Sequence, residues 1–376
     1  KDDFNEEIDY LAATLSIAPN GAYAQVLSKY FPRVLALIAD AALHPNFTEE
    51  DMEKEKARII QSIRANESNA EVIMKRVQQT LRYTTAHPYG EYITETQIAA
   101  LTLDDVTNYY RKRFVPNNAY LVVTGDVNPE EVITLVNEHF ADWQPYSEET
   151  PALYIPENVS ETQINFIDLP SAVQSEIRVT NLIDLKMSHP DYFPLLVANS
   201  ILGGDFGSYI NMNLREEHGY TYGAFSTFKT DKWTKGNFSI KTKVGNAVTA
   251  PAIREILKEV KRIQTSVVSE EKLAQAKAQY LGQFVLATER PQTIANYAIN
   301  IKVRNLPEDF YKNYIANINA VTKEDVQRVA NSYFLLENFR IIIVGKGSDI
   351  ADELKNINFD GKKIPMKEFD SYGNEK

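Results

Sequence analysis

Two residues able to grip a carbonyl or an anion stand in the stretch NLREEHGYTYGAF, residues 213–225. They are Arg215 and, seven positions on, Tyr222. A guanidinium offers a planar fork of donors and a phenol adds one more, a pair able to hold one ligand between them. Seven residues would be about two turns of an unbroken helix. Gly219 lies between them and predicts a helix stop, so Arg215 closes a helix, Tyr222 opens a strand, and both aim at one ligand. Just upstream, GGDFG (203–207) is glycine-rich but matches neither phosphate-loop pattern. It reads as a tight entry to the arginine-bearing helix, with Ser208 as N-cap.

The other chemistry-bearing types are sparse. The histidines are His44, His87, His139, His189 and His218, and no two stand four residues apart, so the chain contains neither H-x-x-E-H nor H-E-x-x-H. His44, His87 and His189 precede proline and read as loop residues. His139 reads as a helix-end residue, and His218 as a solvent-exposed residue of the turn between Arg215 and Tyr222. The absence of cysteine excludes disulfides and thiolate metal sites. A net charge of −11 argues against nucleic acid and anionic membrane as partners but not against a peptide. No apolar run is long enough to span a bilayer. No signal peptide is seen, and the opening KDDFNEEIDYL reads like the middle of a domain.

The elements that must position the pair repeat along the chain. TEEDMEKEK (48–56) resembles SEEKLAQAK (269–277) at an offset of 221, and each starts with a capping hydroxyl, Thr48 or Ser269. LTLDDVTNYYRKRFVPNNAYLVVTG (101–125) resembles AVTKEDVQRVANSYFLLENFRIIIVG (320–345) at an offset of 220. In both, a threonine and an aspartate three residues later, Thr102/Asp105 and Thr322/Asp325, predict a capping box. A helix, a short turn, an apolar strand (AYLVVTG or RIIIVG) and another helix follow. Residues 29–43 and 250–265 share helical apolar spacing. The chain therefore reads as α+β, with two homologous units at 1–146 and 163–376 and a polar, proline-containing linker at 147–162. Residues 163–220 hold two expected strands and a helix and have no partner in the first unit, so that unit reads as N-terminally truncated.

LGGDFGSYINMNLREEHGYTYG resembles the second-domain signature of the pitrilysin/insulinase family of zinc peptidases, in the branch of short bacterial members and processing peptidases. HPNFTEEDMEKEKARIIQSI and the stretch from LRYTTAHPYGEYI to LVVTGDV are similar to the family's first domain. The resemblance covers essentially the whole chain. It implies two α/β-sandwich units of the metallohydrolase-like, processing-peptidase type. It further implies a zinc ion held by an H-x-x-E-H helix of the first domain and a more distant glutamate, the motif's own glutamate serving as general base. Arg215 and Tyr222 match the pair with which the second domain binds the substrate backbone.

The metal half departs from the pattern. Aligned on EKARIIQSI (55–63), the first helix glutamate is Glu55, and the zinc-ligand position is Ser62, a poor donor for zinc. A register shift nominates Glu67 but breaks the match at Ile59, Ile60 and Ile63. Three functions follow from the resemblance. The first is a non-catalytic or half-catalytic subunit, with no zinc in this chain, that binds peptide through Arg215 and Tyr222 and pairs, as homodimer or heterodimer, with a zinc-bearing subunit. The second is an active zinc endopeptidase whose H-x-x-E-H precedes Lys1. The third is a structural scaffold like the core proteins of respiratory complexes, against which retention of the clamp counts. Both the bacterial periplasm and the cytoplasm suit such a protein.

Overall fold

Both capped helices form where the sequence places them. In the computed structural model, which describes residues 2–18, 20–147 and 152–376, they span Leu103–Arg113 and Lys323–Tyr333. Each carries a full capping box, with the threonine hydroxyl accepting from the aspartate N–H and the aspartate accepting from the threonine N–H. The helices Glu49–Ala65 and Glu270–Thr288 start on Thr48 and Ser269, whose hydroxyls each accept a backbone N–H at 3.1 Å.

The chain divides into two compact units, and neither is contiguous. The first comprises Lys1–Ile60, Glu95–Pro151 and Ala287–Ile299. Its antiparallel hairpin, β1 (Thr14–Ala18) and β2 (Gly21–Gln25), packs near a small core of Ile8, Leu11, Val34 and Leu37. A row of rings, Phe47, Tyr110, Phe114, Trp143 and Phe140, forms a second cluster. The strand expected at 119–125 is not formed. No strand neighbour lies beside it among the described residues, and an isolated extended segment has no partner for its N–H and C=O groups.

The second unit comprises Gln61–Thr94, Ala152–Leu286 and Asn300–Lys376. Its strands are β3 (Gln163–Asp168), β4 (Gln174–Ile183), β5 (Ala224–Lys229), β6 (Gly236–Gly245), β7 (Arg340–Gly345) and β10 (Met366–Phe369), with β8 (Asn358–Phe359) and β9 (Lys362–Lys363) a separate small hairpin. The six-stranded order is β10-β3-β7-β4-β6-β5. β10, β3 and β7 run parallel, and β4, β6 and β5 continue antiparallel, which leaves β5 at an edge. Both faces are covered at the centre, which is why β7 reads as a continuous apolar run. Ile341 and Ile343 join the large core with the helices Tyr192–Asn199, Thr249–Thr265 and Lys323–Tyr333, while Ile342 and Val344 meet Ile73, Met74 and Val77 of the helix Ala70–Tyr83. Each of those three buried side chains contributes roughly 1.5–3 kcal/mol.

This division differs from the contiguous units expected from the sequence, and the helix Ala70–Tyr83 shows why. Its apolar face is buried on the six-stranded sheet, so 61–94 belongs with the second unit. The offset of 221 that carries Thr48 onto Ser269 also carries Ala70 onto Pro291, the first residue of the helix Pro291–Val303. Most of that helix is counted with the first unit. Each of the two equivalent helices is thus grouped with the unit built mainly from the other half of the chain. Of the expected linker, residues 148–151 lie outside the described residues. In its remainder Asn158 is held to β4, donating to the Leu182 carbonyl at 2.9 Å and accepting the Leu182 N–H at 2.7 Å.

Candidate functional site

The segment from Tyr192 to Lys229 forms one end of the second unit. Helix Tyr192–Asn199 runs into two wide, π-type turns, Ser200–Gly204 and Met212–Glu217, with a short helix, Tyr209–Asn211, between them. Such widened turns often sit at functional sites. Gly203 is required by close approach: a Cβ there would lie 2.5 Å from the Ser226 hydroxyl and 2.7 Å from the Ser226 nitrogen on β5. This contact, and not helix entry alone, explains Gly203, while a Cβ on Gly204 would lie 2.9 Å from the Asn199 side-chain nitrogen. Ser208 adopts an N-cap backbone, but its buried hydroxyl makes no capping bond and has no partner, so its expected capping role is not met.

Arg215 lies in the last wide turn and Tyr222 in the connection to β5, which begins at Ala224. Gly219 takes a left-handed φ of +64°, as a helix stop requires. Tyr222 therefore stands two residues before the strand and does not open it. Asn211, fully buried, ties the two segments together. Its amide donates to the Phe206 carbonyl at 2.6 Å, and its oxygen accepts the Ala224 N–H at 3.0 Å. The Thr221 hydroxyl bridges Gly223, and Thr242 of β6 braces it at 3.0 Å. On this frame Tyr222 is 95% exposed. An aromatic ring so fully presented, on a backbone so fully hydrogen-bonded, has no packing role. The Arg215 guanidinium lies over the Phe206 ring, 5.1 Å from its centre, and its Nε is 3.5 Å from Glu216. Asn211 and Phe206 escaped the sequence reading. The available signal was an asparagine inside a helical stretch, where its side chain needs a tertiary partner.

His218 is stacked on Tyr220 with ring centres 4.9 Å apart, and its Nε2 is 3.8 Å from Glu255. Burial raises the Glu255 pKa, but Lys258, Asn213 and His218 outweigh it and hold the carboxyl below its ordinary value. His218 is the exposed turn residue expected from the sequence, braced by these two contacts. His87 is a loop residue, as expected, capping the short turn Pro88–Gly90, but it is not exposed. It is buried beside Tyr83 and Tyr89, its Nδ1 accepts the Tyr89 N–H at 3.0 Å, and burial lowers its pKa.

The residues that align with the metal half lie on the helix Glu49–Ala65 and are exposed. Arg58 holds the Glu55 carboxylate, with Nε at 2.9 Å, and lowers its pKa. The Ser62 carbonyl accepts from Asn66 at 2.8 Å. Among the described residues no three His, Asp or Glu side chains come together as metal donors. Glu55, already held by Arg58, and the neutral hydroxyl of Ser62 make a poor donor set for zinc. No helix among the described residues is long and apolar enough to cross a membrane.

Two family models match the sequence: "Insulinase (Peptidase family M16)" over residues 12–90 and "Peptidase M16 inactive domain" over residues 100–280. The chain belongs to this family, the pitrilysin/insulinase (M16) peptidases. It is 23% identical to the human mitochondrial-processing peptidase subunit beta, in an alignment that covers 88% of this chain and 68% of that protein. A Bacillus subtilis protein named an uncharacterized zinc protease is 22% identical, over 87% of this chain and 78% of its own. A Helicobacter pylori protein named a non-peptidase homolog is also 22% identical, over 85% and 73%. The fold matches the crystal structure of a peptidase M16 inactive domain from Pseudomonas fluorescens. The TM-score is 0.80 at 21% identity, over 91% of this chain and 83% of that one.

Proposed function

We propose that this chain is a peptide-binding, non-catalytic or half-catalytic member of its family that complements a zinc-bearing subunit. The observation that carries the reading is the presentation of Tyr222 and Arg215 on a frame pinned by Asn211. Arg215 donates to a substrate carbonyl, and the Tyr222 phenol supplies a second donor. β5, just beyond Tyr222, is the edge strand of its sheet, but its outward Ala224 N–H is held by Asn211 and its Ser226 carbonyl by Asn199, so an extended peptide is gripped through the two side-chain donors and not by adding along that edge. Contacts made to the peptide backbone rather than to its side chains give broad sequence acceptance. The poor donor set around Glu55 and Ser62 favours a partner that brings the zinc.

Fluorescence anisotropy of a labelled extended peptide tests the reading. Arg215→Ala and Tyr222→Phe should each weaken binding by about tenfold, the loss of one buried or charge-assisted hydrogen bond. Unchanged affinity in both variants would sink the clamp. The zinc-protease names among the relatives favour a second reading, an endopeptidase whose metal donors lie outside the described residues. Zinc bound in a ratio near one per chain, in protein purified without chelator, would put that reading first.

A further inference from the structure

From Lys229 to Lys243 the chain reads KTDKWTKGNFSIKTK, five lysines against one aspartate in a protein of net charge −11. The strand register sorts them by face. Phe225, Thr227 and Lys229 of β5 stand level with Lys241, Ser239 and Asn237 of β6, and Lys241 and Lys243 stand level with Arg178 and Glu176 of β4. Alternate residues share a face, so all of these point to the side away from the core residues Ala224, Phe238 and Ile240. Lys229, Lys241 and Lys243 are exposed.

The acids on this face are few and already engaged. Glu176 is buried and takes Lys243 at 2.8 Å and Arg178 at 3.7 Å, and Glu71 at the start of the helix Ala70–Tyr83 adds a weaker field at the same two cations. Lys229 and Lys241 have no ion-pair partner among the described residues. The face is continuous with Arg215. The arginine covers Phe206, whose ring meets Phe225 edge-on with centres 5.7 Å apart, and Phe225 stands beside Lys241.

We propose that the lysines left open on this face of β5 and β6, Lys229 and Lys241, on either side of the point where Gln78 of the helix Ala70–Tyr83 meets Ser239 at 3.0 Å, select acidic side chains of a peptide held at Arg215 and Tyr222. The inference rests on the clamp reading above and adds the substrate class. An extended peptide running from the clamp past this face turns every second side chain toward it, at a repeat of about 7 Å. Flexible lysine stems reach such side chains across a neighbouring strand. Glutamate and aspartate are attracted there, and basic segments are repelled.

The test compares two labelled peptides of one length on the full chain by fluorescence anisotropy. One carries glutamate at alternate positions, the other glutamine. At low salt the acidic peptide should bind about tenfold tighter, from exposed pairs each giving roughly a two- to threefold gain. That ratio should shrink as salt rises. The double variant Lys229→Glu, Lys241→Glu should bring the acidic peptide down to the affinity of its glutamine partner or below. Lys243 is left in place because it neutralises Glu176, and an unchanged thermal unfolding midpoint reports that the variant folds. A ratio near one in the unaltered chain, or a ratio untouched by the double variant, overturns the proposal while leaving the clamp intact. If Arg215→Ala weakens neither peptide, the clamp itself is at fault. A DNA oligonucleotide that binds as tightly as the acidic peptide, and is lost in the double variant, makes the face a general polyanion site and overturns the peptide assignment.

Discussion

Residues 101–125 and 320–345 are two copies of one local design with two different fates. The helices Leu103–Arg113 and Lys323–Tyr333 share an eleven-residue length and a complete capping box. Even the residues that end them match: Phe114 sits at φ −89°, ψ 83° and Phe334 at φ −95°, ψ 81°. Beyond that point the copies part. Phe334 is fully buried against Phe238, with ring centres 4.3 Å apart, and leads into β7, flanked by β3 and β4. Phe114 borders an open pocket of about 500 Å³ lined also by Phe47, Tyr110, Trp143 and Tyr146, and the apolar run after it forms no strand. A helix and its caps are settled within a few residues, whereas a strand exists only when a distant segment supplies the other half of its hydrogen bonds.

Hydrogen exchange should widen this contrast most. Amides of β7 are expected to open only with the whole unit, at a cost on the order of 5–10 kcal/mol, while those of 119–125 exchange within a few tenfold of the free-chain rate. Comparable protection in both segments, read by mass spectrometry of the exchanged chain, would mean that the first copy also pairs as a strand.

Truncation of the two phenylalanines ranks next. Phe334→Ala should cost about 3–5 kcal/mol through the cavity it leaves. Phe114→Ala should cost about 1–2 kcal/mol, because its ring is only partly removed from water. Denaturant unfolding followed through each unit measures both, and equal losses would erase the distinction drawn from burial.

The caps should show the smallest effect and the greatest likeness. Thr102→Ala and Thr322→Ala should each destabilise their helix by about 1 kcal/mol. The aspartates carry the same signature in pH. The Thr102 hydroxyl and N–H lower the Asp105 pKa; at Asp325 burial pushes the other way, but Thr322 and Arg328 outweigh it, and the carboxyl again titrates low. A folded pKa below the unfolded one means that each contribution is complete above about pH 4 and fades as the pH falls through the lower folded value. Titration of the two carboxyls by NMR should place both below an ordinary aspartate. A normal value at either one would break the parallel at its local root.

The same logic sorts the candidate site. Arg215, Gly219 and Tyr222 were legible because a guanidinium, a left-handed glycine and a phenol at fixed spacing describe one local turn. Asn211, Phe206 and Phe225 were not, since their roles are contacts made across the fold. The lysine-rich run was visible as composition, but only the β5–β6–β4 register puts Lys229, Lys241 and Lys243 on one face. Ser208 shows the converse: its sequence position predicts a cap, yet its hydroxyl is buried without a partner.

By itself the sequence determined the helix starts at Thr48, Thr102, Ser269 and Thr322, the stop at Gly219 and the twofold repeat, because each is a matter of neighbours along the chain. Tertiary structure alone decided that the helix Ala70–Tyr83 lies on the six-stranded sheet, that RIIIVG is a strand and AYLVVTG is not, and that Tyr222 stands clear of the surface. Each of those depends on which distant backbone and which apolar face arrive to complete it, and no local pattern encodes that arrival.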